Sequence, residues 1–214
     1  FWDFIEYMFK IRPKYVFYLT IFCSFFINNT YAEDTGEKLS SGCLGCHGIV
    51  SYSNIYPYFL VPKLANQHKE YIVISLKAYK SGQRKHPTMN AQASKLSDNQ
   101  IELIADYFSK LGESANNIKT NKEIKVIEEI NTCVACHGTD GNSVANIFPK
   151  IAGQHENYIY YALRSYKNGS RENPIMLGIT SALSDNQMKK LSRYFSRHKG
   201  LYSINKGIFS ESKK

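Results

Sequence analysis

The sequence predicts an all-α protein made of two tandem domains related by internal duplication. Residues 62–109 return as residues 149–196 with 23 identities in 48 positions, which chance does not produce. Apolar residues recur at helical spacing in both copies, and no long stretch alternates in the way of a strand. The chain has 214 residues, 43% of them hydrophobic, so it can build two packed cores. This composition excludes a disordered, collagen-like or low-complexity chain.

The repeat also sets the predicted domain boundaries. The copies are 87 residues apart, but their cysteine pairs are 90 apart, so the second copy lacks three residues in a loop, where deletions are tolerated. A polar stretch ends the first copy and is the candidate linker. The predicted parts are a signal peptide at 1–32, a first domain at 33–114, a linker at 115–121, a second domain at 122–200 and a polar C-terminal tail at 201–214.

The amino-terminal segment has the pattern of a secretory signal peptide. Three basic residues at 10–14 precede an uncharged run at 15–27, which is shorter than the roughly 20 residues of a membrane-spanning helix. Thr30 and Ala32 stand three and one residues before the expected cut. We therefore expect cleavage near Ala32 and a periplasmic protein.

Helix signals recur at equivalent positions in both copies. Capping boxes at 97–100 and 184–187 each precede a helical apolar stripe. An earlier helix is expected at 68–82 and at 155–169, each ended by a glycine. Residues 122–130 also favour a helix that leads into the second cysteine pair.

Two Cys-x-x-Cys-His motifs carry the chemistry. This pattern attaches c-type haem, because two thiols on one helical turn reach the two vinyl groups of one porphyrin and the next histidine binds the iron. Two copies in a duplicated, exported chain are a strong signal. We therefore expect two covalently attached haem c groups, each containing iron. The residues are Cys43, Cys46 and His47 in the first copy and Cys133, Cys136 and His137 in the second.

Three alternatives use the same cysteines. Two cysteine pairs can bind one zinc ion, one pair can be a redox dithiol, and exported cysteines can form disulfides. Zinc would not require His47 and His137, and a dithiol normally appears once, between a strand and a helix. The fifth cysteine, Cys23, lies in the predicted signal. We interpret it as an apolar residue rather than a lipid attachment site, because bulky Phe22 precedes it.

Methionines are the predicted sixth ligands of both irons. Met89 and Met176 align with each other in predicted loops, and a proline stands two residues before each. Met188 instead aligns with Ile101 in a helical core stripe. His86 is a competing ligand for the first iron, but its counterpart in the second copy is an asparagine.

Two further repeated pairs invite a functional interpretation. His68 and His155 stand at polar helix starts, where surface or capping roles are favoured over a site. Arg84 and Arg171 can fork onto haem propionates, and solvated side chains are an equal alternative.

These motifs resemble the cytochrome c4 family, periplasmic dihaem proteins built from two class I cytochrome c domains in tandem. The likeness covers residues 33–200 and includes the repeated Pro-Lys-x-Ala-x-Gln and Leu-Ser-Asp-Asn-Gln segments. It implies an electron carrier that feeds terminal oxidases, with the Pro62 and Pro149 carbonyls bonded to the proximal histidines and propionates near the domain interface. Asn66 departs from the pattern, since its counterpart is Gly153, and the first haem loop is longer and rich in tyrosine.

The function expected is transfer of single electrons between membrane respiratory complexes. The expected partners are a cytochrome bc-type donor and a terminal oxidase, with no nucleic acid, no small-molecule substrate at haem and a monomeric state. We expect a carrier and not an enzyme, because an enzyme acting at haem needs an open iron position. The alternative is a haem subunit of a dehydrogenase or a dihaem peroxidase-like enzyme. Residues 131–214 hold 12 basic and 5 acidic residues, so this part has a net charge of +7.

Overall fold

The computed structural model describes residues 35–111 and 124–204, which belong to one compact unit. The predicted signal peptide with Cys23 and the predicted linker at 115–121 lie outside these residues. None of the helices within the described residues has the length and apolarity needed to cross a bilayer.

The described residues are mainly α-helical, which confirms the predicted fold class. The helices are α1 (Gly36–His47), α2 (Lys69–Lys80), α3 (Pro87–Ala93), α4 (Asp98–Lys110), α5 (Val134–His137), α6 (Glu156–Lys167), α7 (Pro174–Ser181) and α8 (Asp185–Ser196), with a 3-10 turn at Glu128–Ile130. The strands β1 (Ser53–Asn54) and β2 (Phe59–Leu60) form an antiparallel hairpin.

The first domain packs around α4. Its capping box is complete, because the Ser97 side chain accepts from the Gln100 N–H and the Gln100 side chain accepts from the Ser97 N–H. The helix contacts α1 and α2 through a stripe that is almost completely buried. Burying such side chains contributes about 1.5–3 kcal/mol each and fixes the helix that backs the cysteine motif. The stripe consists of Ile101, Ile104, Ala105 and Phe108.

The second domain repeats this arrangement around α8. The box formed by Ser184 and Gln187 is again complete, and α8 packs against α6 and the 3-10 turn. Met188 is 3% exposed in this core, as its alignment with Ile101 predicts.

Three local predictions need correction. Residues 122–130 were expected to be helical, yet 124–127 are irregular and only Glu128–Ile130 form a 3-10 turn. The segments around Met89 and Met176 were expected to be loops and are the short helices α3 and α7, each with proline in its first turn. The hairpin of β1 and β2 was not expected, because strands of two residues carry no alternation signal.

Residues 201–204, the described part of the predicted polar tail, pack against both domains. Leu201 and Ile204 are buried, and Ile204 belongs to the core of the first domain. The Leu201 N–H donates to Ala152 O at 2.8 Å, and the Tyr202 N–H donates to Ala65 O at 3.3 Å. These residues therefore connect the two domains at equivalent alanines.

Candidate haem sites at the domain interface

The two motif histidines have the same hydrogen-bond partner in each domain. His47 Nδ1 lies 2.8 Å from Pro62 O, and His137 Nδ1 lies 2.9 Å from Pro149 O. A carbonyl only accepts, so Nδ1 must carry the proton and the neutral ring keeps its lone pair on Nε2. Burial lowers the pKa of both imidazoles, which favours this neutral form. Each histidine is thus oriented and ready to bind a metal through Nε2, as the family resemblance implied.

The cysteines of each motif lie beside their histidine on a short helical stretch. Cys43 and Cys46 are in the last turns of α1, whereas Cys133 is the N-cap of α5 and Cys136 lies inside it. All four thiols are free and partly buried. Burial raises the pKa of Cys43 and Cys133, so these thiols are protonated at neutral pH before any haem is attached. Among the described residues, no three His, Cys, Asp or Glu side chains converge as a metal site.

The methionines occupy equivalent helical positions, and each is fixed by the residue before the proline. The Met89 N–H lies 3.4 Å from His86 Nδ1, and the Met176 N–H donates to Asn173 Oδ1 at 2.9 Å. His86 is therefore the N-cap of α3, as Asn173 is of α7. The aligned His and Asn share this capping role, which explains why a histidine stands in only one copy.

A single cavity joins these groups. It has a volume of about 750 Å³, within the range of cofactor pockets, and its lining is mostly apolar. Both domains contribute to its wall. The predicted site residues on that wall are Cys43, Cys46, His47 and Met89 from the first domain and Cys133, Cys136, His137 and Met176 from the second.

The two repeated arginines meet at the interface between the domains. Arg84 and Arg171 form an isolated antiparallel backbone bridge with each other, and they are 87 residues apart, like the repeat. The Arg84 guanidinium donates to Tyr158 Oη at 2.7 Å, and the Arg171 guanidinium donates to Tyr71 Oη at 2.8 Å. Each arginine therefore bonds to the tyrosine of the opposite domain.

These arginines also provide a test of whether haem fits the cavity. No carboxylate of residues 35–111 or 124–204 forms a salt bridge with either Arg84 or Arg171. Burial raises the pKa of Tyr71, but the nearby charges of Arg171 and Arg84 outweigh it and lower that pKa to about 8. Charged groups away from water need counter-charges. Haem propionates are such groups, so the chemistry of the cavity fits haem.

His68 and His155 are helix N-caps by position, but neither side chain makes a capping bond. The expectation of a simple surface or capping role is therefore incomplete. His68 Nε2 lies 2.8 Å from Ser143 O, so it joins the first domain to the haem loop of the second. Burial and the charge of Lys63 lower the pKa of His155 to about 4, which keeps its ring neutral.

Comparison with known proteins agrees with the site. The family model for cytochrome c matches residues 33–112 and 125–199. The structure of cytochrome c4 from Acidithiobacillus ferrooxidans is 33% identical, with a TM-score of 0.59, over 73% of this chain and 98% of that chain. The chain belongs to the cytochrome c4 family. Two Cys-x-x-Cys-His motifs in two cytochrome c domains hold two covalent haem c groups, which confirms the predicted cofactor.

Two curated relatives extend this comparison. Cytochrome c-552 of Acidithiobacillus ferridurans is 37% identical over 174 residues, which are 74% of each chain. The thiosulfate dehydrogenase electron acceptor of Stutzerimonas stutzeri is 29% identical over 181 residues, which are 78% of this chain and 83% of that one. This cytochrome c4 family member is therefore a dihaem electron carrier.

Sequence reasoning missed the residues that join the domains. Gln67 and Gln154 bond across the interface to Lys150 and Lys63, and Tyr71 and Tyr158 receive the arginine bonds. Their signal was present, because all of these residues are identical in the repeat. The sequence did not indicate which of the residues shared by both copies pack within a domain and which make contacts between the domains.

Proposed function

We propose that this chain carries single electrons between membrane respiratory complexes, from a cytochrome bc-type donor to a terminal oxidase. It acts as a monomer in the periplasm, after cleavage of the signal peptide near Ala32. The observation that supports this most is the shared cavity, which is lined by two matched sets of cysteine, histidine and methionine. A bound haem iron supplies one-electron chemistry by alternating between its ferrous and ferric states.

In this proposal every predicted site residue has a defined role. The thiols of Cys43 and Cys46, and of Cys133 and Cys136, attach the porphyrins. His47 and Met89 bind the first iron and His137 and Met176 bind the second. A histidine and a weak thioether ligand together would favour ferrous iron and raise the reduction potential. The support is local, since both histidines are held through Nδ1 and both methionines are held at the same helical position.

The remaining residues of the cavity control charge and water. Arg84 and Arg171 hold propionates at the interface with charge-assisted bonds, which are about twice as strong as neutral ones. The apolar lining excludes water, which keeps the charge of the iron site poorly solvated and favours the reduced state. Because both domains line the same cavity, haem groups held there would share one apolar enclosure, which would favour exchange of an electron between them.

The second candidate function is that of an acceptor or haem subunit for a dehydrogenase. It is favoured by the relative that accepts electrons from thiosulfate dehydrogenase. A permanently docked subunit uses the same motifs as a free carrier. A peroxidase-like activity has less support, because it requires an iron without a sixth ligand.

The test uses the purified reduced holoprotein. We expect mass spectrometry to find two haem additions, carbon monoxide to leave the spectrum unchanged at neutral pH, and a respiratory oxidase to reoxidise the protein in a rapid reaction. Rapid stoichiometric binding of carbon monoxide would contradict the axial assignment and favour an enzyme. Rapid reduction by a thiosulfate-oxidising dehydrogenase, without reoxidation by any oxidase, would favour the second function.

A further inference from the structure

Two buried glutamine side chains cross the domain interface in a reciprocal way. Gln154 Oε1 accepts from the Lys63 N–H and Gln154 Nε2 donates to Lys63 O, both at 3.0 Å. Gln67 Oε1 accepts from the Lys150 N–H and Gln67 Nε2 donates to Lys150 O, both at 2.9 Å. The two side chains are only 5% and 6% exposed, so each amide is committed to these partners.

The orientation of each amide follows from its neighbours. An N–H only donates and a carbonyl only accepts, so the oxygen must face the lysine N–H and the nitrogen must face the lysine carbonyl. The oxygen also accepts from the next backbone N–H, that of His68 or His155, at 3.0 Å. Both glutamines are therefore anchored at the start of a helix in their own domain and reach into the other domain.

The peptide groups that they contact are those that hold the axial histidines. The N–H of Lys63 and the carbonyl of Pro62 belong to one peptide group, and that carbonyl is 2.8 Å from His47 Nδ1. The N–H of Lys150 and the carbonyl of Pro149 likewise form the peptide group that binds His137. Each peptide group thus donates to a glutamine at one end and accepts from a histidine at the other.

A peptide group in this position is polarised by both bonds. Hydrogen bonds in a chain strengthen one another by about 10–30% each. Donation of the Lys63 N–H to Gln154 makes Pro62 O a stronger acceptor for the His47 proton. A stronger acceptor makes the histidine a more basic ligand, and a more basic ligand stabilises ferric iron.

We propose that each glutamine is a positioning residue for the histidine ligand of the opposite domain. Gln154 of the second domain tunes the first haem, and Gln67 of the first domain tunes the second haem. This inference rests on the proposed function for its assignment of His47 and His137 as iron ligands. The domain interface then sets the two potentials in addition to holding the domains together.

The test compares Gln67→Leu with Gln154→Leu in the intact holoprotein. Each haem is followed by its own paramagnetically shifted methyl resonances in a redox titration, and the resonances are assigned with Met89→Ala and Met176→Ala. In Gln154→Leu we expect the first haem to become easier to reduce, by about threefold in its reduced-to-oxidised ratio, or about 28 mV at 59 mV per tenfold. The second haem should keep its potential. Gln67→Leu should give the mirror result.

A second substitution separates tuning from loosening of the interface. Gln154→Glu keeps an acceptor for the Lys63 N–H and makes it charged, so the first haem should become harder to reduce than the second. Gln67→Glu is its matched control, because it adds the same charge on the other side. A merely structural role predicts a change of the same sign for the Leu and Glu variants.

The outcomes are distinct. Crossed shifts that reverse in sign between Leu and Glu support the inference. Equal shifts in both haems, or shifts confined to the haem of the mutated domain, overturn it while leaving a histidine–methionine carrier intact. Binding of carbon monoxide by the unmutated protein would instead overturn the proposed ligand set.

Discussion

In each domain a loop leads from the motif histidine to the proline whose carbonyl accepts its hydrogen bond. The two loops place this carbonyl in the same way but are held by different contacts. In the second domain the loop has side-chain hydrogen bonds to its own domain, since Tyr194 Oη donates to Thr139 O and Asn142 Nδ2 donates to Lys199 O, each at 2.8 Å, in addition to the bond between His68 and Ser143. In the first domain the loop contains the hairpin of β1 and β2, which packs against the second domain. Phe59 stacks on Tyr161 with ring centroids 4.2 Å apart.

This difference teaches which parts of the duplication the site constrains. The distance from the histidine Nδ1 to the proline carbonyl is 2.8 Å in the first domain and 2.9 Å in the second. The two distances agree because the orientation of a metal ligand allows little variation. Away from that carbonyl, the loops have different lengths and partners. The hairpin tip leaves Ile55 88% exposed and Tyr56 94% exposed.

Removal of one sixth ligand should have the largest effect and should stay within one domain. Met89→Ala should open the first iron to carbon monoxide and lower its potential by roughly 200 mV, within the roughly 0.8 V range that axial ligands span. Met176→Ala should do the same to the second iron. Spectra of the reduced proteins with carbon monoxide and potentiometric titration measure this. Met188→Leu is the control, because Met188 lies in the core, so neither reduced haem of this variant should bind carbon monoxide.

Truncation of the buried side chain of Ile204, which follows the second domain in the sequence, should destabilise the first domain. Ile204→Ala removes a buried side chain from the first domain's core and should lower its free energy of unfolding by about 3 kcal/mol. Leu191→Ala should affect the second domain by a similar amount. Denaturant titration, read from the resonances of each haem, compares them. If the signals of the second haem are lost first in Ile204→Ala, Ile204 stabilises the second domain and the prediction is wrong.

Exchange of the residues at one repeated position should show that the two copies have different surroundings there. Asn66 and Gly153 both have positive φ, 69° and 72°. A Cβ at Gly153 would lie 3.0 Å from Leu201 O and 3.1 Å from His198 O. Gly153→Asn should therefore cost about 1–2 kcal/mol of stability, with Asn66→Gly costing about 1 kcal/mol through lost hydrogen bonds. Thermal unfolding measures both, and equal stability of Gly153→Asn and the parent would contradict the close contact.

The exposed hairpin tip should have the smallest effect on stability. Tyr56→Ser should change the free energy of unfolding by no more than about 0.5 kcal/mol, because its side chain is almost fully in water. Val144→Ser is the matched control in the other haem loop, where the residue is 97% exposed. Denaturant unfolding of both variants checks this. A loss of about 2 kcal/mol in Tyr56→Ser alone would show that the tip is not free.

Local signals explain why much of the fold was predictable from the sequence. Capping boxes at 97–100 and 184–187 depend on residues three apart, so a single sequence contains the whole signal. The helices of Met89 and Met176 were missed although a cap followed by proline marks their start. The prolines were interpreted as support for iron ligation by the methionines, and the capping role of His86 was hidden by its suitability as an iron ligand.

The interface could not be predicted, because its contacts join residues far apart in sequence. The repeat identified Gln67 and Gln154 as shared residues, but their partners are 83 and 91 residues away. The same holds for Ile204, whose apolar character in a short polar segment gave no indication of a neighbouring core. Contacts of this kind depend on how the two folded domains pack against each other.

The position of residues 201–204 between Ala65 and Ala152 has a consequence for the order of folding. The helices of the first domain precede these residues in the chain, yet Ile204 fills that domain's core. The first copy in the sequence is therefore completed only when a segment from beyond the second copy docks on it. The second half of the chain thus acts on the folding of the first half as an internal assembly factor.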